Sequence, residues 1–163
     1  MKVSNLSFGA SSLGGVFHNV REAEGIKAVH TAVDNGMNFI DVSPYYGHYK
    51  AEIVLGKALK DIPRDKYYLS TKVGRYGKDG VNLWDYSAKR AIESVYESME
   101  RLHVDYIDLI NVHDVEFADM RWSILLFRLW WGFVRKVLSV MSVLRICSWR
   151  ISSGWLIVCP RAR

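Results

Sequence analysis

Along residues 1–120 the apolar positions switch between a spacing of about two and a spacing of about 3.6, the marks of strand and helix. Val3 to Ala10 reads as a first strand. From Arg21 to Asn35 the apolar residues Ile26, Val29 and Val33 recur at helical spacing, and Gly36 supplies a stop. Asn38–Val42 is a second strand. His48–Leu59 is a second helix, with Ile53, Leu55, Ala58 and Leu59 apolar. Tyr67–Val73 is a third strand. Ser87 is a good N-cap for a third helix that runs to Leu102 on Ala91, Val95, Met99 and Leu102. Tyr106–Val112 is a fourth strand. The order βαβαβαβ predicts parallel strands joined by crossover helices.

Two architectures fit that order: an open doubly wound sheet and a (β/α)8 barrel. A doubly wound sheet usually announces a dinucleotide with G-x-G-x-x-G after its first strand. Here the first strand leads into "FGASSLGG", which lacks that spacing, and Gly14 and Gly15 read as turn residues. The polar residues favour the barrel. Asp41 ends the second strand, Lys72 falls at the end of the third and His113 follows the fourth. In a parallel barrel all three converge at the C-terminal mouth, where barrel active sites lie. One such residue would read as a surface or capping group, but three successive strands ending alike predict a site.

Tyr46 stands five residues after Asp41 and directly before Gly47. A free tyrosine has a pKa of about 10 and is a poor acid near neutrality. An ammonium nearby favours its phenolate form, and a carboxylate paired with that ammonium holds it in place. A histidine alongside can hydrogen-bond the reacting oxygen. Asp41, Tyr46, Lys72 and His113 thus form a candidate proton-transfer site for a carbonyl or an alcohol. Such chemistry needs a hydride partner, normally a nicotinamide. Tyr45 and Tyr49 compete with Tyr46 for the acid–base role.

The segments "FIDVSPYYG", "STKVGRY" and "DYIDLINVHD" resemble the aldo-keto reductase family. Its pattern is Asp-x-x-x-x-Tyr-Gly, then a strand ending in Thr-Lys, then a strand ending in His. Within it, "SFGASSLGGVF", "DVSPYYG", "GRY" and "HDVEF" look most like the L-galactose dehydrogenase group, whose members oxidise a sugar at C1 with NAD. The resemblance covers Lys2 to about Met120. It implies a TIM barrel with Tyr46 as proton donor and acceptor, Lys72 assisting it, Asp41 holding Lys72 and His113 orienting the substrate oxygen. It implies NAD or NADP as cofactor, with Gly9, Ala10, Ser11 and Asp41 near the nicotinamide. It implies Arg75, Tyr76 and Trp84 on a loop that faces a small sugar or aldehyde substrate; a packed loop aromatic is the other account of Trp84. His18 could reach the mouth but reads as a loop residue. His30, His48 and His103 read as helical surface residues. Some relatives serve as channel subunits, though no residue here points to that role.

Composition changes this picture only at the end of the chain. The 163 residues are 50% hydrophobic and 24% charged, a globular balance. The net charge of +5 is uneven: residues 121–163 hold eight basic and no acidic residues, which leaves residues 1–120 mildly acidic. The tail carries five of the six tryptophans and both cysteines, Cys147 and Cys159, without a clear period. Read one base out of frame, it permits residues similar to the helix and strand that follow the His-bearing strand in the family. The expectation is a boundary near 120, with out-of-frame sequence beyond it. Four strands are half of an eight-stranded barrel. Such a half-barrel leaves strand four with an open edge and strand one unpaired. By resemblance, the groups that hold most of the cofactor lie in the other half, so an inactive fragment is the alternative to an enzyme. The two cysteines suit neither a disulfide framework nor a metal site. No apolar run approaches the roughly 18 residues needed to span a membrane. Neither a nucleic-acid nor a membrane partner is expected, and no leader pattern opens the chain, so a cytoplasmic location is.

Overall fold

The computed structural model describes residues 2–78, 81–114, 147–151 and 154–158. Four strands run parallel: β1 (Phe8–Gly9), β2 (Phe39–Asp41), β3 (Tyr68–Val73) and β6 (Leu109–Val112). Three helices connect or flank them: α1 (Glu22–Asp34), α2 (Lys50–Leu59) and α3 (Ala88–Leu102). This is the partial (β/α)8 barrel that the alternating pattern allows and the polar strand ends favour. Two strands, β4 (Arg75–Lys78) and β5 (Val81–Trp84), form a separate antiparallel hairpin directly after β3. Strands β7 (Cys147–Ile151) and β8 (Gly154–Val158) also pair antiparallel, and β8 lies against β6. The main sheet has the order β1-β2-β3-β6-β8-β7.

The parallel register sets the faces. Gly9 stands beside Asp41, Asp41 beside Ser70, and Lys72 beside Asn111. Side chains alternate along a strand, so Ser70 and Lys72 share one face of β3 while Leu69, Thr71 and Val73 share the other. The second face meets the helices. Ile40, Val42, Leu69, Val73 and Ile110 pack there with Val29 of α1, Ala51, Val54, Leu55 and Ala58 of α2, and Ala91, Val95 and Leu102 of α3. Even the polar member of that face is used: the Thr71 hydroxyl donates to Glu52 of α2 at 2.7 Å. Glu52 is fully buried and also receives Arg101 of α3 at 2.7 Å. One ion pair therefore ties β3, α2 and α3 together.

The caps follow the sequence. Ser87 accepts from the Arg90 amide at 3.2 Å at the start of α3. Gly36, at φ 86°, lets the chain leave α1, with the Met37 amide donating back to Ala32 at 3.0 Å.

Several expectations are corrected. The first strand is two residues, not eight. Asn38 explains this: its side chain accepts from the Ser4 amide at 2.7 Å and donates to the Lys2 carbonyl at 3.1 Å, which ties residues 2–4 down without a ladder. That strand is not unpaired, since Phe8 and Gly9 pair with β2 on one side. The fourth strand starts at Leu109, because the Asp108 carboxylate occupies the Leu69 amide at 2.9 Å where a strand partner would stand. Its edge is not open, for β8 covers it through Leu109–Asn111. The second helix starts at Lys50, since Gly47, His48 and Tyr49 all have left-handed backbones. Ile53 points to solvent rather than to the core. The loop expected after the third strand is the β4–β5 hairpin. Residues 115–146 and 159–163 lie outside the described residues, so the reading of most of the tail finds no structural counterpart. No helix among the described residues is long and apolar enough to cross a membrane.

Candidate active site

The mouth is built from the C-terminal ends of β1, β2, β3 and β6. Lys72 forms an ion pair with Asp41 and donates to the Val42 carbonyl at 3.1 Å. Asp41 also accepts from the Ser70 hydroxyl at 2.9 Å, and Ser70 in turn accepts from the Asn111 side-chain amide at 3.1 Å. The carboxylate is therefore held from two sides, and it holds the ammonium at one place. The Lys72 ammonium lies 4.9 Å from the centre of the Tyr46 ring.

The other tyrosines go elsewhere. Tyr45 accepts from Arg75 at 2.8 Å through its hydroxyl, and Tyr49 lies against Arg101 of α3 at 4.6 Å. Of the three, Tyr46 is the one brought to Lys72. Its position depends on two glycines. Gly14, in the 3-10 turn Ala10–Gly14 after β1, touches the Tyr46–Gly47 backbone so closely that an added Cβ would stand 2.6 Å from the Tyr46 carbonyl oxygen. A Cβ on Gly47 would in turn run into the Gly14 backbone. Gly14 is thus a packing residue as well as a turn residue.

His113 follows β6, its amide donating to the Val73 carbonyl at 2.8 Å. Its ring is packed edge-on between Tyr45 and Tyr46, each 5.7 Å away centre to centre. Nδ1 lies 3.0 Å from the hydroxyl of Ser43, a fully buried residue. Burial is the main reason that His113 titrates at about 4 rather than near 6.5; Asp114 opposes the shift, while Lys72 and Arg75 add to it. The imidazole is therefore neutral at physiological pH.

Arg75, the first residue of β4, reaches across to form an ion pair with Asp114 and stacks on Tyr45 at 3.7 Å and Trp84 at 4.5 Å. Trp84 is 41% exposed and stacks on Tyr86. Tyr86 fastens this wall to the sheet, its hydroxyl within 2.9 Å of the carbonyls of His113 and Asp114. Tyr76 does not belong to the wall. It is buried, its hydroxyl accepts from the Gly74 amide at 3.0 Å, and its ring lies under Arg90. It faces inward because neighbours in a strand alternate, so Arg75 and Tyr76 cannot both face the mouth.

Gly9 is exposed at the end of β1, beside Asp41, and a Cβ there would meet nothing within 4 Å. That leaves room for a planar ring against the backbone. Ser11 is half-buried, but the Ala10 side chain is fully buried in the core, so Ala10 can meet a ligand only through its backbone. His18 is exposed on the loop that follows. His48 lies in the turn before α2 and His103 caps α3, both exposed. His30 departs from the surface reading: it is half-buried on α1, with Nε2 2.9 Å from the Ala58 carbonyl. Among the described residues no cluster of His, Cys, Asp or Glu could hold a metal ion.

Sequence reasoning missed Ser43, Ser70, Asn111 and Asp114. Ser70 and Asn111 were legible in principle, since period-two alternation puts Ser70 on the Lys72 face and the register puts Asn111 beside Lys72. Ser43 carried no such signal.

A carboxylate, a lysine, a tyrosine and a neutral histidine thus stand together at the C-terminal mouth of the parallel strands. The family model described as "Aldo/keto reductase family" matches residues 5–147, and the chain belongs to that family. It is 47% identical over 122 residues to the L-galactose dehydrogenase of Arabidopsis thaliana, covering 74% of this chain and 37% of that protein. Among solved structures, an aldo-keto reductase of Bacillus halodurans, in its holo form, superposes with a TM-score of 0.61 at 32% identity, over 71% of this chain and 38% of that one. An aldo-keto reductase of Klebsiella pneumoniae in complex with NADPH does so with a TM-score of 0.57 at 25% identity, over 68% and 35%. The chain thus spans little more than a third of the length of these relatives.

Proposed function

We propose that this chain carries the proton-handling half of an NAD(P)-dependent oxidoreductase acting on a sugar or a related aldehyde or alcohol, as in L-galactose dehydrogenase. The observation that supports it is the contact of Tyr46 with a Lys72 ammonium pinned by Asp41. The nicotinamide, when bound, supplies the hydride acceptor or donor. Gly9, Ser11 and the Ala10 backbone would lie along it, with Asp41 close by. The Tyr46 phenol gives a proton to the substrate oxygen in reduction and takes it back in oxidation. The Lys72 charge stabilises the phenolate left behind, and Asp41 keeps that charge from moving away. His113, neutral at working pH, donates a hydrogen bond to the same oxygen rather than a second charge. Arg75 and Trp84 form the wall that the substrate would meet; Tyr76 supports it from below.

A second reading is an inactive half-barrel. It is favoured by the four parallel strands among the described residues, where a complete barrel has eight. A fluorescence titration of the 163-residue chain with NADH and with NADPH separates the two. Binding at micromolar concentration, with sugar-dependent reduction of NAD or NADP, is the result expected of an enzyme. Neither coenzyme binding up to millimolar concentration would leave the inactive half-barrel standing.

A further inference from the structure

The hydrogen bonds around Ser43 fix something the heavy atoms of His113 do not show, namely which ring nitrogen carries the proton. The Ser43 oxygen has two neighbours among the described residues: the Tyr45 amide at 3.2 Å and His113 Nδ1 at 3.0 Å. The amide can only donate, so it takes one of the serine lone pairs. The serine's own hydrogen then needs an acceptor, because Ser43 is fully buried and a buried hydroxyl left unpaired is destabilising. Nδ1 is the acceptor within reach. If Nδ1 carried the proton instead, the hydroxyl would accept twice and its hydrogen would be left without a partner. A second observation agrees. Nε2 lies 3.7 Å from a carboxylate oxygen of Asp114, too far for a good hydrogen bond but close enough for charge to matter. An N–H at Nε2 is attracted to that oxygen, while a bare lone pair there is repelled.

We propose that Ser43 is a positioning residue that locks His113 in the tautomer with its proton on Nε2. The locked ring presents a donor, and not a lone pair, toward the mouth. In the opposite tautomer Nε2 would repel a carbonyl or alkoxide oxygen. This inference rests on the reading of His113 as the group that meets the substrate oxygen. The ring's protonation pattern, however, can be measured without cofactor or turnover.

The test is nitrogen-15 NMR of the full 163-residue chain at pH 7 with labelled histidine, His113 being assigned from its loss in His113→Gln. The wild-type ring should show a protonated Nε2 and an unprotonated Nδ1. Ser43→Ala should shift it toward a mixture of the two tautomers, and Ser43→Thr, which keeps the hydroxyl, should restore the wild-type pattern. A wild-type ring protonated at Nδ1 would overturn the proposal, and so would a Ser43→Ala ring that keeps the wild-type pattern. If Ser43→Ala fails to fold, Ser43→Cys, whose thiol is only a weak donor, takes its place and should shift the ring toward the same mixture; a ring that keeps the wild-type pattern there would overturn the proposal. In an active preparation, Ser43→Ala should lower kcat about tenfold or more with little change in KM, and Ser43→Thr should recover most of the loss. Absence of coenzyme binding would count against the functional reading while leaving the tautomer result intact.

Discussion

His113 is the residue whose environment has the clearest consequence outside catalysis. Burial pushes its titration down to about 4 from an ordinary 6.5. A base with a lowered value in the folded state resists the proton that the unfolded chain accepts. Its contribution to stability is therefore fully present above pH 6.5 and is lost as the pH falls through about 4. Proton NMR should find the His113 ring titrating near 4. Replacing it with Gln should flatten the fall in stability between pH 6.5 and 4, measured by urea unfolding at several pH values. A ring that titrates near 6.5 would show that the Ser43–Tyr45–Tyr46 enclosure is wetter than its geometry indicates.

At the level of elements, what the sequence revealed depended on periodicity. The three helices and the four parallel strands were legible because Val29, Leu55, Leu69 and Leu102 recur at spacings that only one secondary structure satisfies. Asp41, Tyr46, Lys72 and His113 were legible because each falls at a strand end or just beyond one. Elements set by side-chain hydrogen bonds were not. Asn38 shortens the first strand and Asp108 delays the fourth, and neither has a periodic signature. The β4–β5 hairpin had a signal that went unused, the Asp79-Gly80 pair between "RYGK" and "VNLW". Glu52 was invisible for another reason: a lone carboxylate among apolar helix positions reads as a solvated face. It is instead the joint of β3, α2 and α3, bound to Thr71 and Arg101. Glu52→Ala would strip the Arg101 guanidinium of its buried partner. Loss of one member of such a pair costs about 3–5 kcal/mol. Arg101 keeps some access to water, so the lower end of that range is expected, read as a fall in the urea midpoint. The 3-10 turn has a comparable joint. Gly14→Ala would press a methyl group into the Tyr46 carbonyl. Overpacking of this kind costs about 1–3 kcal/mol. Thermal unfolding should show the lower melting point, and Tyr46 should be displaced relative to Lys72. An unchanged melting point would mean that the turn yields without strain.

For the whole molecule, the parallel sheet ends at β6 and an antiparallel strand continues it. A complete barrel would place another parallel strand in that position. The match to the family model extends to residue 147, while the change in composition begins near 121. We propose that the change marks a shift of reading frame near codon 120. Sequencing the transcript and the genomic DNA across codons 110–163 tests this directly. A single-base difference that restores a frame coding for further family sequence is the expected result. A confirmed frame through that region would remove the explanation and leave the 163-residue half-barrel as the molecule to be understood.

The contact between Gly14 and Gly47 has a consequence for how this protein can vary. Each glycine's missing side chain is the space that the other's backbone fills, so the two positions share one steric constraint although they lie on different loops. The first substitution at either position would separate the loops, and the second would then meet a gap already opened. Their costs should therefore combine to less than their sum. A library of single substitutions would score both sites as intolerant and suggest two separate requirements. Only a paired library would reveal a single epistatic unit, whose members would have to change together if they changed at all.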